Sequence, residues 1–129
     1  MPVEASWDNQ EHTVILLSLT GTTWGWEEYY PAIKQVITMM EGVDNQVDVI
    51  VHLQTNFIPA RPLGQLGPAS SYIRHHKTRQ VVLVGVHSYL RMLVDIFGRL
   101  YRDTAKKLQF ASTLDDARTM LGEQRHEVG

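Results

Sequence analysis

Serine and acidic side chains are the groups of this sequence that could carry out catalysis. Ser88 follows an apolar run, where a helix start would hold a nucleophile or an anion, although a helix N-cap is its simpler role. Asp115 and Asp116 are paired carboxylates, but the dipole of a helix start explains them without chemistry. Gly64-x-x-Gly67 lacks the Lys-Ser/Thr that phosphate binding needs. Because no nucleophile, base and orienting group are indicated together, we predict no catalytic residue and favour a non-enzymatic protein, with enzyme activity left open.

Histidines are the next candidates, for metal binding. His52, His75, His76 and His87 offer imidazoles that suit zinc or nickel, but a site needs three or four convergent ligands. Neighbouring histidines on a helix point about 100° apart and do not easily share one ion. The chain has no cysteine, which excludes a disulfide scaffold, a zinc finger and a cysteine nucleophile. We therefore predict no metal site and no cofactor.

Four aromatic residues stand within a stretch of seven, and they suit binding as well as packing. Trp24, Trp26, Tyr29 and Tyr30 have large rigid side chains with polar tips, the type enriched at interfaces. The alternative is that they anchor the start of a helix on a sheet. We expect the packing role for Tyr29 and for one tryptophan, and partial exposure for the other tryptophan.

Charge is distributed unevenly along the chain. Residues 1–60 carry one lysine against eight acids, whereas residues 61–109 carry nine basic residues against two acids. Two basic clusters, at 74–79 and 99–107, indicate either an anionic partner or the ends of helices, where cations are favoured by the dipole. We favour helix ends, because both clusters fall where helices are expected to stop.

Composition places the chain among globular proteins. Its 129 residues predict one domain over 1–129, with a core at about 12–122 and a frayed tail at 123–129. A net charge of -2 and an isoelectric point of about 6.3 give no cationic field for nucleic acid. The N-terminus lacks the pattern of a secretory signal, and the apolar runs are too short to span a bilayer. We expect a cytoplasmic protein without an integral membrane segment.

The hydrophobic periodicity predicts the element order ββαβαβαβα. Strands are expected at 3–7, 12–19, 47–53, 81–86 and 108–111, and helices at about 30–41, 68–76, 88–101 and 113–121. Thr23 is a possible N-cap, but Pro31 fits best in a first turn, so we expect the first helix to begin near Tyr30.

The fold class that this order predicts is an α/β sandwich. It has about five mostly parallel strands, an N-terminal antiparallel strand and four helices. The apolar runs 47–53 and 81–86 suit buried strands lying side by side. The long loop at 55–67 follows the first of these strands, and long loops in compact domains are often functional.

Two stretches in the second half carry a resemblance to a known family. The segment from Gln80 to Leu93, followed by the segment from Leu108 to Leu121, resembles the second half of STAS domains. These are the C-terminal domains of sulfate transporters and the bacterial anti-sigma-factor antagonists, with the related SpoIIAA-like proteins. The element order also matches over about residues 12–122. The resemblance implies a STAS-like fold and a regulatory or protein-interaction function.

One departure from that family concerns its phosphorylation switch. In the antagonists, the strand matching 47–53 leads to an Asp-Ser-Ser-Gly-like turn whose serine is phosphorylated. Here residues 56–64 carry Arg61 and Pro62 at the switch position. The nearby hydroxyls of Thr55, Ser70 and Ser71 do not match it by position. We therefore expect a module that is not switched by phosphorylation at the usual site.

These observations together predict binding without chemistry. We expect the contact surface at the 55–70 loop and the aromatic stretch 24–30. The candidate ligand- or partner-binding residues are Trp24, Trp26, Phe57, Arg61, Leu63 and Ser88. The expected occupant is a protein partner, a second copy of the chain or a small anion held by Arg61 and backbone amides. The alternative is a carrier, or an enzyme, with an apolar pocket, lined by Trp24, Trp26, Phe57, Ile58, Leu63 and Leu66.

Overall fold

The computed structural model describes residues 2–128 and shows an α/β fold with one five-stranded sheet. The strands are β1 (Val3–Trp7), β2 (Val14–Leu19), β3 (Val47–Leu53), β4 (Thr78–Val84) and β5 (Leu108–Ala111). The helices are α1 (Trp26–Glu41), α2 (Leu66–Ala69), α3 (Ser71–Arg74), α4 (Ser88–Leu100), α5 (Arg102–Ala105) and α6 (Leu114–Val128). A single 3-10 turn, Leu63–Gln65, precedes α2.

The sheet order is β1-β2-β3-β4-β5, so each strand lies beside its neighbours in the sequence. β1 pairs antiparallel with β2, and all other pairs are parallel. The register sets Val49 beside Val81 and Ile50 beside Val82 at the sheet centre, where all four side chains are fully buried. The predicted mixed sheet with an antiparallel first strand, and the central parallel pair of β3 and β4, are confirmed.

The two faces of the sheet are covered unequally. Right-handed crossovers between successive parallel neighbours put all their helices on one face. That face holds the main core, built from the sheet, α1, α3 and α4. α6, which follows the last strand, packs on the opposite face in a smaller cluster through Ala117 and Leu121. Its start is capped, since the backbone N–H of Asp116 donates to the hydroxyl of Thr113 at 3.1 Å.

Helix number and helix boundaries differ from the prediction in several places. Residues 2–128 contain six helices instead of four, because the expected second helix is split into α2 and α3 and the single turn α5 follows α4. Ser88 is the first residue of α4 and not its cap; His87 is the N-cap and forms no side-chain cap hydrogen bond. The backbone is helical through Val128, and residue 129 of the expected frayed tail lies outside the described residues.

The start of α1 was also predicted wrongly. The helix begins at Trp26 after the N-cap Gly25, not near Tyr30 with Thr23 as a cap. The carboxylate of Glu28 accepts a hydrogen bond from the backbone N–H of Gly25 at 3.0 Å, which fixes this earlier start. Pro31 therefore lies inside the helix near its N-terminal end, where its ring is exposed and it removes a single backbone hydrogen bond.

None of the helices within residues 2–128 is both long and apolar enough to cross a membrane.

Candidate functional site

An apolar recess lies at the carboxyl ends of the parallel strands, and we call it the carboxyl-end cleft. Its volume is about 160 Å³. The ends of β2, β3 and β4 form its floor, and α1, α4 and the segment 55–73 form its walls. Its larger side chains are Leu19, Trp24, Trp26, Tyr29, Leu53, Phe57, Ile58, Leu66, Tyr72, Ile73, Leu83, His87, Leu90, Leu93 and Phe97.

The first turn of α1 supplies the aromatic side of this cleft. Trp24 lies edge-on to Trp26 with ring centres 5.5 Å apart, and both rings contact Tyr29 at similar distances. Such edge-to-face pairs add stabilisation beyond the area they bury. Trp24 and Tyr29 are buried, whereas Trp26 is only half-buried. This agrees with the prediction that Tyr29 and one tryptophan pack in the interior while the other tryptophan stays partly exposed.

Polar tips of the same aromatic residues hold the loop that follows β3. The indole N–H of Trp24 donates to the carbonyl of Phe57 at 3.0 Å, and that of Trp26 donates to the carbonyl of Ala60 at 3.1 Å. The hydroxyl of Tyr30 is hydrogen-bonded to the side chain of Gln65. Because these contacts join residues more than thirty positions apart, they hold the long loop against the start of α1.

Two tyrosines form a neutral polar pair in the interior wall. The hydroxyl of Tyr29 donates to the carbonyl of Ala69 at 2.9 Å and is hydrogen-bonded to Tyr72. Burial raises the pKa of Tyr72 to about 12 and raises the pKa of Tyr29 well above its usual value. Both phenols are therefore protonated at neutral pH and act as packing groups with satisfied tips.

Few polar groups of the cleft are free to meet a ligand. The buried hydroxyl of Ser70 donates to the carbonyl of Leu66 at 2.7 Å, so its proton is already engaged. The hydroxyl of Thr55 accepts the backbone N–H of Phe57 at 3.2 Å. The half-buried imidazole of His87 also lines the cleft, and no hydrogen bond or ion pair to it is found among the described residues.

The sequence-predicted site residues divide into two sets. Trp24, Trp26 and Phe57 line the carboxyl-end cleft, together with two residues of the proposed apolar pocket, Ile58 and Leu66. The other predicted residues, Arg61, Leu63 and Ser88, lie outside the lining and are exposed. Leu63 shows 58% of its surface to solvent from the 3-10 turn.

Arg61 adopts an uncommon backbone conformation at the tip of the same loop. Its φ is 60°, in the left-handed region that residues other than glycine rarely adopt. The carbonyl of the preceding residue, Ala60, is the acceptor for Trp26. The sharp turn at Arg61 therefore coincides with the point where the loop is held to α1.

His87 and Val94 are among the lining residues that the sequence did not predict, and each has an identifiable signal. His87 follows Gly85, whose φ of 84° and close approach to the carbonyl of Leu53 turn the chain directly after β4. That turn brings the N-cap of α4 to the cleft. Val94 lies on α4 one residue after the buried Leu93, and its own side chain is half-buried, so this apolar face of the helix is the signal for it.

One lysine of each basic cluster contacts backbone carbonyls at a helix end. The ammonium group of Lys77 donates to the carbonyls of Met40 and Val43 at the end of α1. That of Lys107 donates to the carbonyls of Ile73 and His75, at 2.9 and 3.3 Å, at the end of α3. Desolvation lowers the pKa of Lys107. These contacts support the helix-end interpretation for both lysines.

A buried ion cluster lies at the opposite end of the sheet from the cleft. The carboxylate of Asp48, fully buried at the start of β3, accepts from Arg79 at 2.8 Å and from Arg125 at 3.1 Å. Arg125 also donates to the carbonyls of Thr13 and Gln46. This cluster therefore ties α6 to the sheet and takes no part in the cleft.

In the part of the chain that the structure describes, no three His, Asp or Glu side chains converge to hold a metal ion. No protein-family model matches the chain, and a search of curated proteins gives no significant match either.

Proposed function

We propose that the chain is a cytoplasmic, non-enzymatic regulatory module of the STAS kind, which works by binding an apolar group in the carboxyl-end cleft. The single observation that carries this proposal is the apolar recess itself, whose walls come from α1, α4 and the 55–73 segment. Apolar surface in a recess that water can reach becomes more stable when an apolar group covers it.

The polar groups of the cleft support binding over catalysis. Its tyrosine hydroxyls are protonated and hydrogen-bonded, and the hydroxyl of Ser70 is engaged by a backbone carbonyl. A catalytic site needs a nucleophile in contact with a base, and that base held by a third group. His87 has no such partner among the described side chains.

A carrier of small apolar ligands is a second candidate, and the size of the cleft limits it. Sites for drug-sized ligands have volumes of about 300–1,000 Å³. The cleft encloses about 160 Å³, near the roughly 150 Å³ at which an apolar cavity accepts a benzene-sized molecule. The volume thus favours a single ring or one branched side chain over a lipid.

The experiment compares what the full chain retains from its own cells with what two variants retain. In Val94→Phe the new ring fills the cleft from α4, whereas Val43→Phe adds the same ring at a half-buried position beyond α1, outside the lining. Bound proteins and small molecules are identified by mass spectrometry. We expect Val94→Phe to lose the occupant that the wild type and Val43→Phe retain. Equal retention by all three chains contradicts the proposal.

A further inference from the structure

We infer that the carboxyl-end cleft binds a free, single-ring aromatic molecule with one hydrogen-bonding substituent, which meets the imidazole of His87. The inference rests on the proposed function, since it names the ligand class for the same cleft. Three observations carry it: the volume of the recess, the low exposure of its wall residues and the unpaired His87 at its edge.

The shape and composition of the walls select a ring. The volume of about 160 Å³ matches one six-membered ring with a small substituent. Aromatic side chains approach from several sides, from Trp24 and Tyr29 near α1 to Phe57 on the loop and Phe97 on α4. Aromatic pairs gain stabilisation beyond that of their buried area, so a flat ring is preferred over a saturated one of equal size.

The low exposure of the wall residues favours a free molecule over a side chain of a partner protein. Among the lining residues, all of them described, only Phe57 is exposed, at 37% of its surface. Energetically important anchors of protein interfaces lie on accessible surface that the partner covers. The loop over this cleft is held to α1 by the indoles of Trp24 and Trp26, so a small molecule reaches the interior more easily than a folded chain does.

The unpaired imidazole supplies the polar contact. His87 has one donor and one acceptor nitrogen when neutral, and neither is engaged by another described residue. As the N-cap of α4 it forms no side-chain cap hydrogen bond, so its ring is not needed to begin the helix. A ligand with a hydroxyl or a similar group on its ring would satisfy this imidazole, whereas a hydrocarbon would leave it unpaired on desolvation.

The test measures dissociation constants of phenol and toluene by calorimetric titration of the full chain. The two probes have nearly the same size and differ in a hydroxyl against a methyl group. The ratio of the phenol and toluene dissociation constants is compared between the wild type and His87→Leu, which isolates the contact to His87. We expect the replacement to weaken phenol relative to toluene by about fivefold, the size of one hydrogen bond. His87→Gln, which keeps a donor and an acceptor, should restore most of that preference.

Failure of this inference is distinguishable from failure of the proposed function. An unchanged phenol-to-toluene ratio in His87→Leu overturns the inference, even if Val94→Phe abolishes binding of both probes and so supports the cleft. If the wild type binds neither phenol nor toluene, the inference is also overturned. The retention experiment described above still tests the proposed function independently.

A further titration separates a free ligand from the side chain of a partner. N-acetyltyrosinamide carries the phenol ring together with the backbone that a partner tyrosine would bring. We expect it to bind at least tenfold more weakly than phenol, because its backbone does not fit the recess. Equal or tighter binding of N-acetyltyrosinamide overturns the assignment to a free molecule.

A titration with cyclohexanol tests the preference for a flat ring. Weaker binding of cyclohexanol than of phenol supports this preference, and equal binding contradicts it.

Discussion

The indole nitrogen of Trp24 donates a hydrogen bond to the backbone carbonyl of Phe57, 33 residues further along the chain. This contact joins the segment before α1 to the loop after β3, and it closes one side of the carboxyl-end cleft. The loop has no regular secondary structure between Gln54 and Pro62. Its position over the cleft therefore depends on side-chain contacts of this kind.

Replacing Trp24 with phenylalanine should release this loop. Trp24→Phe keeps an aromatic ring but leaves the carbonyl of Phe57 without its donor. We expect a loss of about 1 kcal/mol in the free energy of unfolding and faster amide hydrogen exchange across residues 57–60. Trp7→Phe is the matched control, since the indole of Trp7 stacks on His12 outside the cleft. Unchanged exchange in Trp24→Phe would show that the loop is held in another way.

Glycine at position 85 should be required for the turn that brings α4 to the cleft. Gly85 has a φ of 84°, and a Cβ there would lie 2.5 Å from the carbonyl oxygen of Leu53. We expect Gly85→Ala to lower the free energy of unfolding by more than about 1 kcal/mol. Gly64→Ala is the control, because a Cβ at Gly64 meets no atom within 4 Å. Urea unfolding of both variants measures the difference, and equal stability would contradict the close approach.

The buried carboxylate of Asp48 should matter far more than an exposed one. Asp48→Asn leaves Arg79 and Arg125 without their counter-charge in a buried site, and we expect a loss of about 3 kcal/mol or more. Asp103→Asn removes an exposed partner of Lys106 and should cause no measurable change. Urea unfolding compares the two. A loss below about 1 kcal/mol in Asp48→Asn would contradict the role of the cluster in holding α6.

Alkaline pH should destabilise the protein through the tyrosine pair. Tyr72 has a pKa of about 12 in the folded chain against 10.0 for an ordinary tyrosine. Its contribution is fully present below pH 10 and is lost as the pH rises towards 12, by about 3 kcal/mol in all. Tyr72→Phe should flatten the fall of stability across this interval, whereas Tyr89→Phe, at an exposed position, should not. An identical alkaline profile for Tyr72→Phe and wild type would contradict this assignment.

The central sheet was predictable from the sequence because its strands have continuous apolar runs. Residues 47–53 and 81–86 contain mostly valine and leucine, and such runs fit strands that are covered on both faces. Parallel pairing of these strands follows from the helical segment between them. A short turn would make the two strands antiparallel, whereas a helix can return the chain to the edge where the first strand began. Their burial side by side is what the structure shows.

Local boundaries were harder to predict because competing effects are close in energy. Pro31 argued for a later start of α1, but the contact between Glu28 and Gly25 and the packing of Trp24 and Tyr29 outweigh one lost backbone hydrogen bond. Such contacts depend on three-dimensional placement, which the sequence pattern does not contain. Tertiary packing thus overrides a local preference at this helix start.

The cleft was predictable only in part for a similar reason. The aromatic cluster pointed to Trp24 and Trp26, because four large rings within seven residues are unusual on either a core or a surface. His87 carries no motif, and its position depends on the tight turn at Gly85 after β4. Leu63 and Ile58 have the same apolar character in the sequence, yet only Ile58 faces the cleft.

The most direct test of the binding site uses the three tryptophan indole N–H signals in a nitrogen–proton NMR spectrum. Trp24 and Trp26 line the carboxyl-end cleft, whereas Trp7 lies outside it on β1. On titration with phenol, we predict that the signals of Trp24 and Trp26 shift while that of Trp7 stays in place, and that Val94→Phe abolishes both shifts. Shifts confined to Trp7, or no shift of Trp24 and Trp26 at saturating phenol, would contradict a binding site at the ends of these strands.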